Sequence, residues 1–288
     1  MPKLTRRQFL TGAAAAGAAA MAGRLPSAAQ PAAKARSGAD VVTLGKSGIK
    51  SSLLGVGTGT RGGHEQRLLG PEAFARVVRH AYDRGIRYID TADRYFTHGL
   101  LRHAIRGLPR EELFIQTKTG ARSLEDARAD IERFRVELDV DYLDSVLLHA
   151  MGRRTFPEDM RPVMDALSEA KQKGTVRAVG VSCHGLAALA ASAECDWIDV
   201  QLVRINPFGQ MLDGKPEEVA AEIEKMKQKN RGILGMKIYG ETGFDSREQR
   251  LESLRYVLGL GTVQAFTIGF TSTQQIDETL ELIQQATT

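Results

Sequence analysis

Short apolar runs recur along the chain and are separated by longer amphipathic stretches. Apolar runs of this length, bounded by turn residues, are typical of buried parallel strands. Eight such runs follow one another, at Leu53–Gly57, Tyr88–Ala92, Leu113–Thr117, Leu143–His149, Ala178–Ser182, Ile198–Leu202, Ile233–Ile238 and Phe266–Phe270. The pattern therefore predicts eight strands, each buried on both faces.

The stretches between these runs carry apolar residues at helical spacing. They predict helices at Pro71–Arg84, Gly99–Arg106, Leu124–Leu138, Arg161–Lys173, Leu186–Ala193, Lys215–Lys229, Arg247–Leu258 and Thr273–Gln285. Eight strands that alternate with helices over ~250 residues predict an α/β fold of the (β/α)8 TIM barrel type.

A doubly wound open sheet is the alternative fold, because it needs the same alternation of strands and helices. Such a sheet usually has fewer strands, and a dinucleotide-binding one carries a G-x-G-x-x-G loop with a matching acidic residue. The glycines at Gly55, Gly57 and Gly59 follow the first strand without that spacing. The barrel is therefore favoured.

The region before the barrel divides into three parts. Apolar segments at Val41–Leu44 and Ile49–Ser51 flank a glycine-containing turn, which predicts a short N-terminal β-hairpin at the start of the domain, residues 41–288. Residues 30–40 are rich in Pro, Ala and Lys and are interpreted as a linker. Residues 1–29 carry the pair Arg6-Arg7, followed by Phe9-Leu10 and an Ala/Gly-rich run.

This leader predicts a twin-arginine (Tat) signal peptide, cleaved after Ala29, which uses the Tat export machinery and directs the protein to the periplasm. Its Ala/Gly-rich run is too short and too weakly apolar to span a ~30 Å hydrocarbon core, so we expect no stable membrane anchor. An Ala-rich tail with a chance pair of arginines is the alternative interpretation.

Charge and cysteines exclude two further classes. Four basic residues in the leader account for the whole formal charge of +4, which leaves 35 acidic and as many basic residues in the remainder. No basic face and no nucleic-acid partner are therefore expected. Cys183 and Cys195 fall at opposite ends of the predicted barrel, too far apart for the ~7 Å that a disulfide allows. His64, His98 and His184 show no metal-ligand spacing and are expected at the surface or in loops.

Polar residues occupy strand ends, where the active sites of such barrels lie. Asp90 lies in the second apolar run and Tyr95 in the loop that follows it, whereas Lys118 and His149 close the third and fourth. Each alone has an ordinary structural interpretation. Together, in this order, they predict one site.

The segments around these residues resemble the aldo-keto reductase family. Gly85–Tyr95 is similar to a family signature that contains Asp-Thr-Ala and a Tyr, and Thr117-Lys118 and Leu147–His149 supply the other two members of a catalytic tetrad. The likeness runs from about Val41 to Ile283, through Gly180–Ser182, Gln201, Gly235–Lys237 and Ile268-Gly269. It implies a TIM barrel that exchanges hydride between a nicotinamide cofactor and a small-molecule carbonyl or alcohol.

The resemblance also implies the catalytic roles. Hydride that reaches a carbonyl carbon leaves negative charge on the oxygen, which needs a proton or a strong donor. Tyr95 is the expected acid, and a neighbouring Lys118 is expected to lower the pKa of its phenol. Asp90 is expected to keep Lys118 charged and oriented. His149, as a neutral imidazole, is expected to hydrogen-bond the substrate oxygen.

By the same resemblance, Ser182 and Gln201 are expected to bond the nicotinamide carboxamide, and Met236 to pack on the nicotinamide ring. Cys183 stands where the family often has Asn and is interpreted as a small buried thiol. Lys237 is expected either to reach the pyrophosphate or to be an exposed lysine at the end of a strand.

Thr271 and Ser272 begin the last predicted helix. Their hydroxyl and N–H groups are expected to bind the phosphate end of the cofactor, although a simple helix N-cap is the alternative. Many relatives have Lys and Arg there, and this chain has neither. NADP(H) is therefore the first expectation on family grounds, and NAD(H) is the alternative.

Two rival functions use the same fold, which does not fix function by itself. One is a non-catalytic barrel that binds nicotinamide nucleotide as a sensor or binding subunit. The other, a metal-assisted hydrolase or isomerase, lacks ligands at recognisable spacing. The intact order of Asp90, Tyr95, Lys118 and His149 favours the reductase.

Overall fold

The computed structural model describes residues 36–288. The predicted signal peptide and most of the predicted linker lie outside these residues. Ten strands are present in the described part of the chain: β1 (Val41–Thr43), β2 (Lys50–Ser52), β3 (Leu54–Gly57), β4 (Tyr88–Asp90), β5 (Phe114–Thr119), β6 (Leu143–Met151), β7 (Val176–Cys183), β8 (Val200–Arg204), β9 (Gly232–Met236) and β10 (Ala265–Gly269).

Strands β3 to β10 form a closed, all-parallel barrel in chain order, and β10 pairs with β3 to complete it. The predicted (β/α)8 TIM barrel is therefore confirmed. All eight predicted strands occur, with ends that differ from the prediction by a residue or two. Strands β1 and β2 pair antiparallel, with Val41 opposite Ser52, which confirms the N-terminal hairpin.

Within residues 36–288, ten α-helices connect the strands or follow them: α1 (His64–Leu68), α2 (Gly70–Asp83), α3 (His98–Ile105), α4 (Leu124–Leu138), α5 (Phe156–Asp159), α6 (Arg161–Gln172), α7 (Leu186–Glu194), α8 (Pro216–Gln228), α9 (Arg247–Gly259) and α10 (Thr273–Thr287). Serine caps begin three of the longer ones. In α4, for example, Ser123 Oγ accepts a hydrogen bond of 3.0 Å from the N–H of Asp126.

Two apolar clusters hold the fold together. The larger one lies between the strands and the surrounding helices. The smaller one fills the barrel with inward-facing residues such as Tyr88, Phe114 and Leu202. Leu44 and Ile49, from the ends of the hairpin turn, join this inner cluster and are almost completely buried. The hairpin therefore closes the N-terminal end of the barrel.

The segment just before the hairpin is attached to the same end. The carbonyls of Gly38 and Asp40 accept hydrogen bonds of 2.9 Å from the N–H groups of Leu54 and Leu53. A β carbon on Gly38 would lie 2.5 Å from Leu280 Cδ2, so the chain here packs tightly on α10. Residues 38–40, the end of the predicted linker, thus contact the barrel.

Cys183 and Cys195 are both free thiols, as expected, and Cys183 is fully buried. No helix within residues 36–288 combines the length and the apolar character that crossing a bilayer requires. In the same part of the chain, no three His, Cys, Asp or Glu side chains gather as metal ligands would.

Candidate active site

A buried ion pair forms the floor of the site at the C-terminal end of the barrel. Lys118 Nζ donates to both carboxylate oxygens of Asp90, at 2.7 and 2.9 Å, and to the carbonyl oxygen of Thr91 at 2.8 Å. The two side chains are 1% and 6% exposed. Because a buried charge is tolerated when it is paired and hydrogen-bonded, this geometry compensates the burial of both groups and holds them in place.

Gln116 supports this pair and was not identified from the sequence. It precedes Lys118 by two positions in β5, so both side chains point to the same side of the strand. Its Nε2 donates to Asp90 Oδ1 at 2.8 Å and to the Tyr88 hydroxyl at 2.9 Å. The spacing of two residues between Gln116 and Lys118 in the same strand was the available signal.

Tyr95 lies above the ion pair on a 3-10 turn, Asp93–Tyr95, that directly follows β4. Lys118 Nζ is 4.9 Å from the centre of its ring. The ring packs on Gly59, where a β carbon would lie 2.5 Å from ring atoms. Asp90, Tyr95 and Lys118 are therefore brought together as the sequence order indicated.

The pKa of Tyr95 is raised above its usual value, because burial outweighs the lowering effect of Lys118 and Asp90 raises it further. The lowering effect expected of Lys118 on the pKa of Tyr95 is present, but burial outweighs it and the net shift is upward. Lys118 acts in the expected direction, but its hydrogen bonds go to Asp90 and Thr91. Asp90 and Tyr95 in turn raise the pKa of Lys118 against the effect of burial, so the ammonium stays charged.

His149 faces Tyr95 edge-on, with ring centres 5.5 Å apart. The next residue, Ala150, has a left-handed φ of 60°, and the pairing of β6 with β7 shifts register there. Such a bulge re-aims the side chains beside it. Burial, together with the charges of Lys118 and Arg94, lowers the pKa of His149 to about 3. The imidazole is neutral, as expected.

The two residues assigned to the carboxamide are placed differently. Ser182 lines the cleft, and its Oγ accepts a hydrogen bond of 2.9 Å from the N–H of Ala150, so it also holds the bulge. Gln201 is completely buried and does not line the cleft. Its Nε2 donates to Cys183 Sγ at 3.6 Å, while its Oε1 has no partner. Cys183 is the buried thiol that was expected.

Met236 and Lys237 both line the cleft at the end of β9. The strand ends at Met236, two residues before its predicted end, because Lys237 turns the chain with a φ of 61°. Lys237 Nζ pairs with Glu241 at 2.9 Å, and Glu241 Oε1 accepts a bond of 2.9 Å from the N–H of Arg61. Glu241 thus joins the loops after β9 and β3.

Thr271 and Ser272 form the N-terminal cap of α10. Gln275 Oε1 accepts hydrogen bonds from both of their N–H groups, and Ser272 Oγ accepts one of 3.3 Å from the N–H of Gln275. Neither residue lines the cleft that contains Tyr95. Thr271 instead lines a second cavity that adjoins it.

The cleft that contains Tyr95 has a volume of about 360 Å³. It is lined by all four predicted catalytic residues and by Ser182, Met236 and Lys237. Residues that the sequence did not assign to the cofactor or to catalysis also line it, among them His184, Arg204, Glu241 and Thr267.

His98 corrects one expectation from the sequence. It was expected at the surface, but its side chain is 5% exposed. Nδ1 lies 2.7 Å from Glu137 Oε2, and Nε2 lies 2.9 Å from the hydroxyl of Thr117, beside Lys118. Burial lowers its pKa despite the opposing effect of Glu137. His98 is a satisfied internal histidine that supports β5.

The chain matches a family model, curated proteins and solved structures. A sequence model of the Aldo/keto reductase family matches residues 53–286. A 9,11-endoperoxide prostaglandin H2 reductase of Trypanosoma cruzi is 36% identical over 112 residues, which cover 38% of each chain. A methylglyoxal reductase of Salmonella typhi is 30% identical over 142 residues, which cover 46% of this chain and 52% of that one.

A solved structure of a Pseudomonas aeruginosa protein assigned to the aldo-keto reductases superimposes with a TM-score of 0.74. It covers 86% of this chain and 96% of that one at 24% identity, which shows the shared fold. The two curated relatives match over about half of their length or less. Since the family model spans nearly the whole barrel, the chain belongs to the Aldo/keto reductase family.

Proposed function

We propose that this protein is an NAD(P)H-dependent reductase that converts the carbonyl of an aldehyde or ketone to an alcohol, or catalyses the reverse reaction. One observation carries the proposal. Tyr95 lines an open cleft, above a buried Asp90–Lys118 ion pair and edge-on to the neutral imidazole of His149. An acid, a charge stabiliser and a hydrogen-bond donor thus converge on one point.

Each side chain has a defined task in this proposal. The raised pKa of Tyr95 keeps its phenol protonated, which is the form that donates a proton to a developing alkoxide. Lys118, held by Asp90, stabilises the phenolate that remains. His149 has a pKa of about 3, so its neutral ring hydrogen-bonds the carbonyl oxygen without competing as an acid.

The residues of the cleft fit a nicotinamide cofactor, which supplies or accepts the hydride when it is bound. Thr267 Oγ1 lies in the lining of the cleft, buried and without a hydrogen-bond partner, and Ser182 offers a second hydroxyl nearby. Met236 offers a soft, polarizable surface for a flat ring. We assign Lys237 to the pyrophosphate, which would compete with Glu241 for its ammonium group.

The decisive experiment compares the parent protein with Tyr95→Phe. We expect kcat for an activated aldehyde such as 4-nitrobenzaldehyde to fall by about 10²- to 10⁴-fold, because the proton donor is lost. Nucleotide affinity, followed by fluorescence titration, should stay nearly unchanged. Tyr82→Phe is the matched control, since Tyr82 is bonded to Glu112 at the surface, away from the cleft. Reduction by Tyr95→Phe at the parent rate would contradict the assigned acid.

The nucleotide titration and the aldehyde assay together distinguish the reductase from the alternative function. Nucleotide binding without turnover by either protein would favour a non-catalytic nicotinamide-nucleotide-binding barrel that acts as a sensor or binding subunit. Turnover by the parent protein alone would favour the enzyme.

We also propose that the segment at residues 1–29 directs export through the Tat machinery to the periplasm. The proposal rests on the pair Arg6-Arg7 before an apolar run. In a bacterial host, replacement of both arginines by Lys should keep the protein in the cytoplasmic fraction. An unchanged periplasmic fraction would contradict it.

A further inference from the structure

A second cavity of about 300 Å³ adjoins the cleft that contains Tyr95. The two share lining residues from the loops after β3 and β9 and from the end of β10, including Thr60, Tyr239 and Gly269. A dinucleotide that places its nicotinamide at Tyr95 carries a second nucleoside at the far end of its pyrophosphate. The adjoining cavity, continuous with the cleft, is a place where that nucleoside fits.

The lining of this second cavity is acidic. It contains four carboxylates, Glu65, Glu241, Asp245 and Glu278, and one cation, Arg250. Glu65 and Glu241 pair with Arg61 and Lys237, which lie outside this lining, whereas Glu278 pairs with Arg250 inside it. A phosphate on the ribose would bring up to two further negative charges into this surrounding. Like charges that are brought together at a binding site disfavour binding. The cavity is therefore poorly suited to a 2′-phosphate.

Arg250 is already engaged by other partners. Its Nη1 donates to Glu278 Oε2 at 2.9 Å, its Nη2 to the carbonyl of Asp245 at 2.9 Å, and its Nε to the carbonyl of Phe244 at 3.1 Å. Tight recognition of a phosphate by arginine usually employs two parallel N–H donors. Glu278 neutralises the charge of this guanidinium and accepts a hydrogen bond from one of its two terminal nitrogens.

The residues at the start of α10 that line the cavity, Thr271 and Gln275, have N–H groups that are already bonded. The N–H groups of Thr271 and Ser272 donate to Gln275 Oε1, at 2.8 and 3.3 Å. Free N–H groups at a helix N-terminus bind phosphate, but here Gln275 Oε1 accepts the hydrogen bonds that a phosphate oxygen would accept. Among the residues that line the cavity, the cation Arg250 and the amides of Thr271 and Gln275 are thus already engaged by other partners.

We infer that the second cavity receives a ribose with a free 2′-hydroxyl and excludes a 2′-phosphate, so that the protein binds NAD(H) in preference to NADP(H). The inference rests on the nicotinamide-dependent function proposed above. Glu278 is the specificity-determining residue, since it repels the phosphate and pairs with Arg250. A carboxylate also accepts hydrogen bonds from ribose hydroxyls, which favours the unphosphorylated form.

The test measures binding by calorimetry with two probes that lack the nicotinamide, ADP-ribose and its 2′-phosphate. We expect the purified protein to bind ADP-ribose about tenfold more tightly or better, since like charges oppose the phosphorylated probe. NADH and NADPH, titrated in parallel, should show the same order. Equal or tighter binding of the phosphorylated probe would overturn the inference and leave the proposed reductase intact. Failure of all four ligands to bind would overturn both.

The variant Glu278→Gln tests the assigned residue. It removes one charge and releases Arg250, so the affinity for the 2′-phosphorylated probe should rise about tenfold, while that for ADP-ribose should rise by much less or fall. Glu281→Gln is the matched control, since Glu281 lies on the same helix, pairs with Arg247 and does not line the cavity. An unchanged affinity ratio in Glu278→Gln, with a folded protein by circular dichroism, would overturn the role of Glu278.

Discussion

The two ends of the barrel are built from the same eight strands, yet the interior is apolar at one end and polar at the other. At the N-terminal end, Leu44 and Ile49 of the hairpin pack into the apolar interior and exclude water. At the C-terminal end, the inward positions carry Asp90, Lys118 and other polar groups under an open cleft. Apolar packing at the N-terminal end stabilises the barrel, so the C-terminal end can accommodate buried charged groups.

Each end contains a buried cation, and the partners differ. Arg231 is completely buried and donates to the carbonyls of Ser192, Ala193 and Cys195, at the end of α7. These are neutral groups that need a donor, so the arginine completes the structure. Lys118 instead meets a full carboxylate and lies beside a phenol. Its charge is placed to influence a second titratable group.

Backbone strain is also distributed unequally. Among the described residues, eight non-glycine residues have left-handed φ values. Asp139 and Asn230 follow helices near the N-terminal end, where such residues are commonly tolerated. The other six lie on the loops or strand ends of the C-terminal face: Arg61, Phe96, Ala150, Met211, Lys237 and Glu241. Strained residues concentrate where surrounding structure holds functional side chains in position.

The largest effect is expected at the buried ion pair. Lys118→Met should lower kcat/KM for an aldehyde by about 10³-fold, because the phenolate of Tyr95 loses its stabilising charge. It should also destabilise the fold by about 3–5 kcal/mol, because Asp90 is left buried without a partner. The double variant Asp90→Asn/Lys118→Met removes both charges and should regain most of that stability without regaining activity. Restored activity would show that the charge of Lys118 is dispensable.

The next effect concerns the opposite end. Arg231→Leu should lower the free energy of unfolding by about 3 kcal/mol, since three buried carbonyls lose a charged donor. The value of kcat/KM should change little in the protein that remains folded. Urea denaturation measures the first and steady-state kinetics the second. Arg247→Leu, at a half-exposed site, is the matched control, with an effect below about 1 kcal/mol. A large loss of activity at constant stability would contradict the division between the two ends.

Replacing a glycine by alanine tests both ends of the barrel, at Gly59 for the C-terminal end and at Gly45 for the N-terminal end. A β carbon on Gly59 would lie 2.5 Å from the ring of Tyr95. Gly59→Ala should therefore misplace the phenol and lower kcat/KM by about 10²-fold, with little loss of stability. Gly45 has a φ of 46° and faces the main chain of Asn230 and Arg231. Gly45→Ala should cost about 2 kcal/mol of unfolding free energy and leave kcat/KM nearly unchanged. The opposite pattern in either variant would contradict the comparison.

The closed end was the easier one to predict from sequence. Apolar runs at regular intervals specify buried strands, and their number specifies the barrel, so the eight predicted strands and the eight predicted helices were placed to within a residue or two, whereas the short helices α1 and α5 were not predicted. The plug formed by Leu44 and Ile49 was not foreseen, since a hairpin signal does not say where the hairpin packs. The burial of Arg231 could not be predicted from the sequence either, because an arginine after a helix ordinarily faces solvent.

At the open end, residue order predicted which side chains meet but not their electrostatic balance. The contact of Tyr95 with Lys118 follows from strand ends that share one face of the barrel. The raised pKa of Tyr95 depends on burial, which the sequence does not contain. Gln201 was assigned to the cofactor by resemblance, yet it lies behind Cys183, outside the cleft lining. The cap that Gln275 makes on α10 appeared only with the hydrogen bonds.

The last effect is a pH dependence of stability in which His149 represents the open end. His149 has a pKa of about 3 in the folded protein and the ordinary value of about 6.5 when unfolded. Between these values the unfolded chain binds a proton that the folded protein does not, so stability falls as pH falls. His149 should contribute a loss of about 1.4 kcal/mol per pH unit between pH 6 and 4. His98 and His184, whose pKa values are also lowered by burial, add to the total in any variant that keeps them. The informative quantity is therefore the unfolding free energy of the parent protein minus that of His149→Gln, measured in urea at pH 6, 5 and 4. This difference should decrease steadily toward low pH, whereas a constant difference would mean that the imidazole beside Tyr95 is not held neutral by its surroundings.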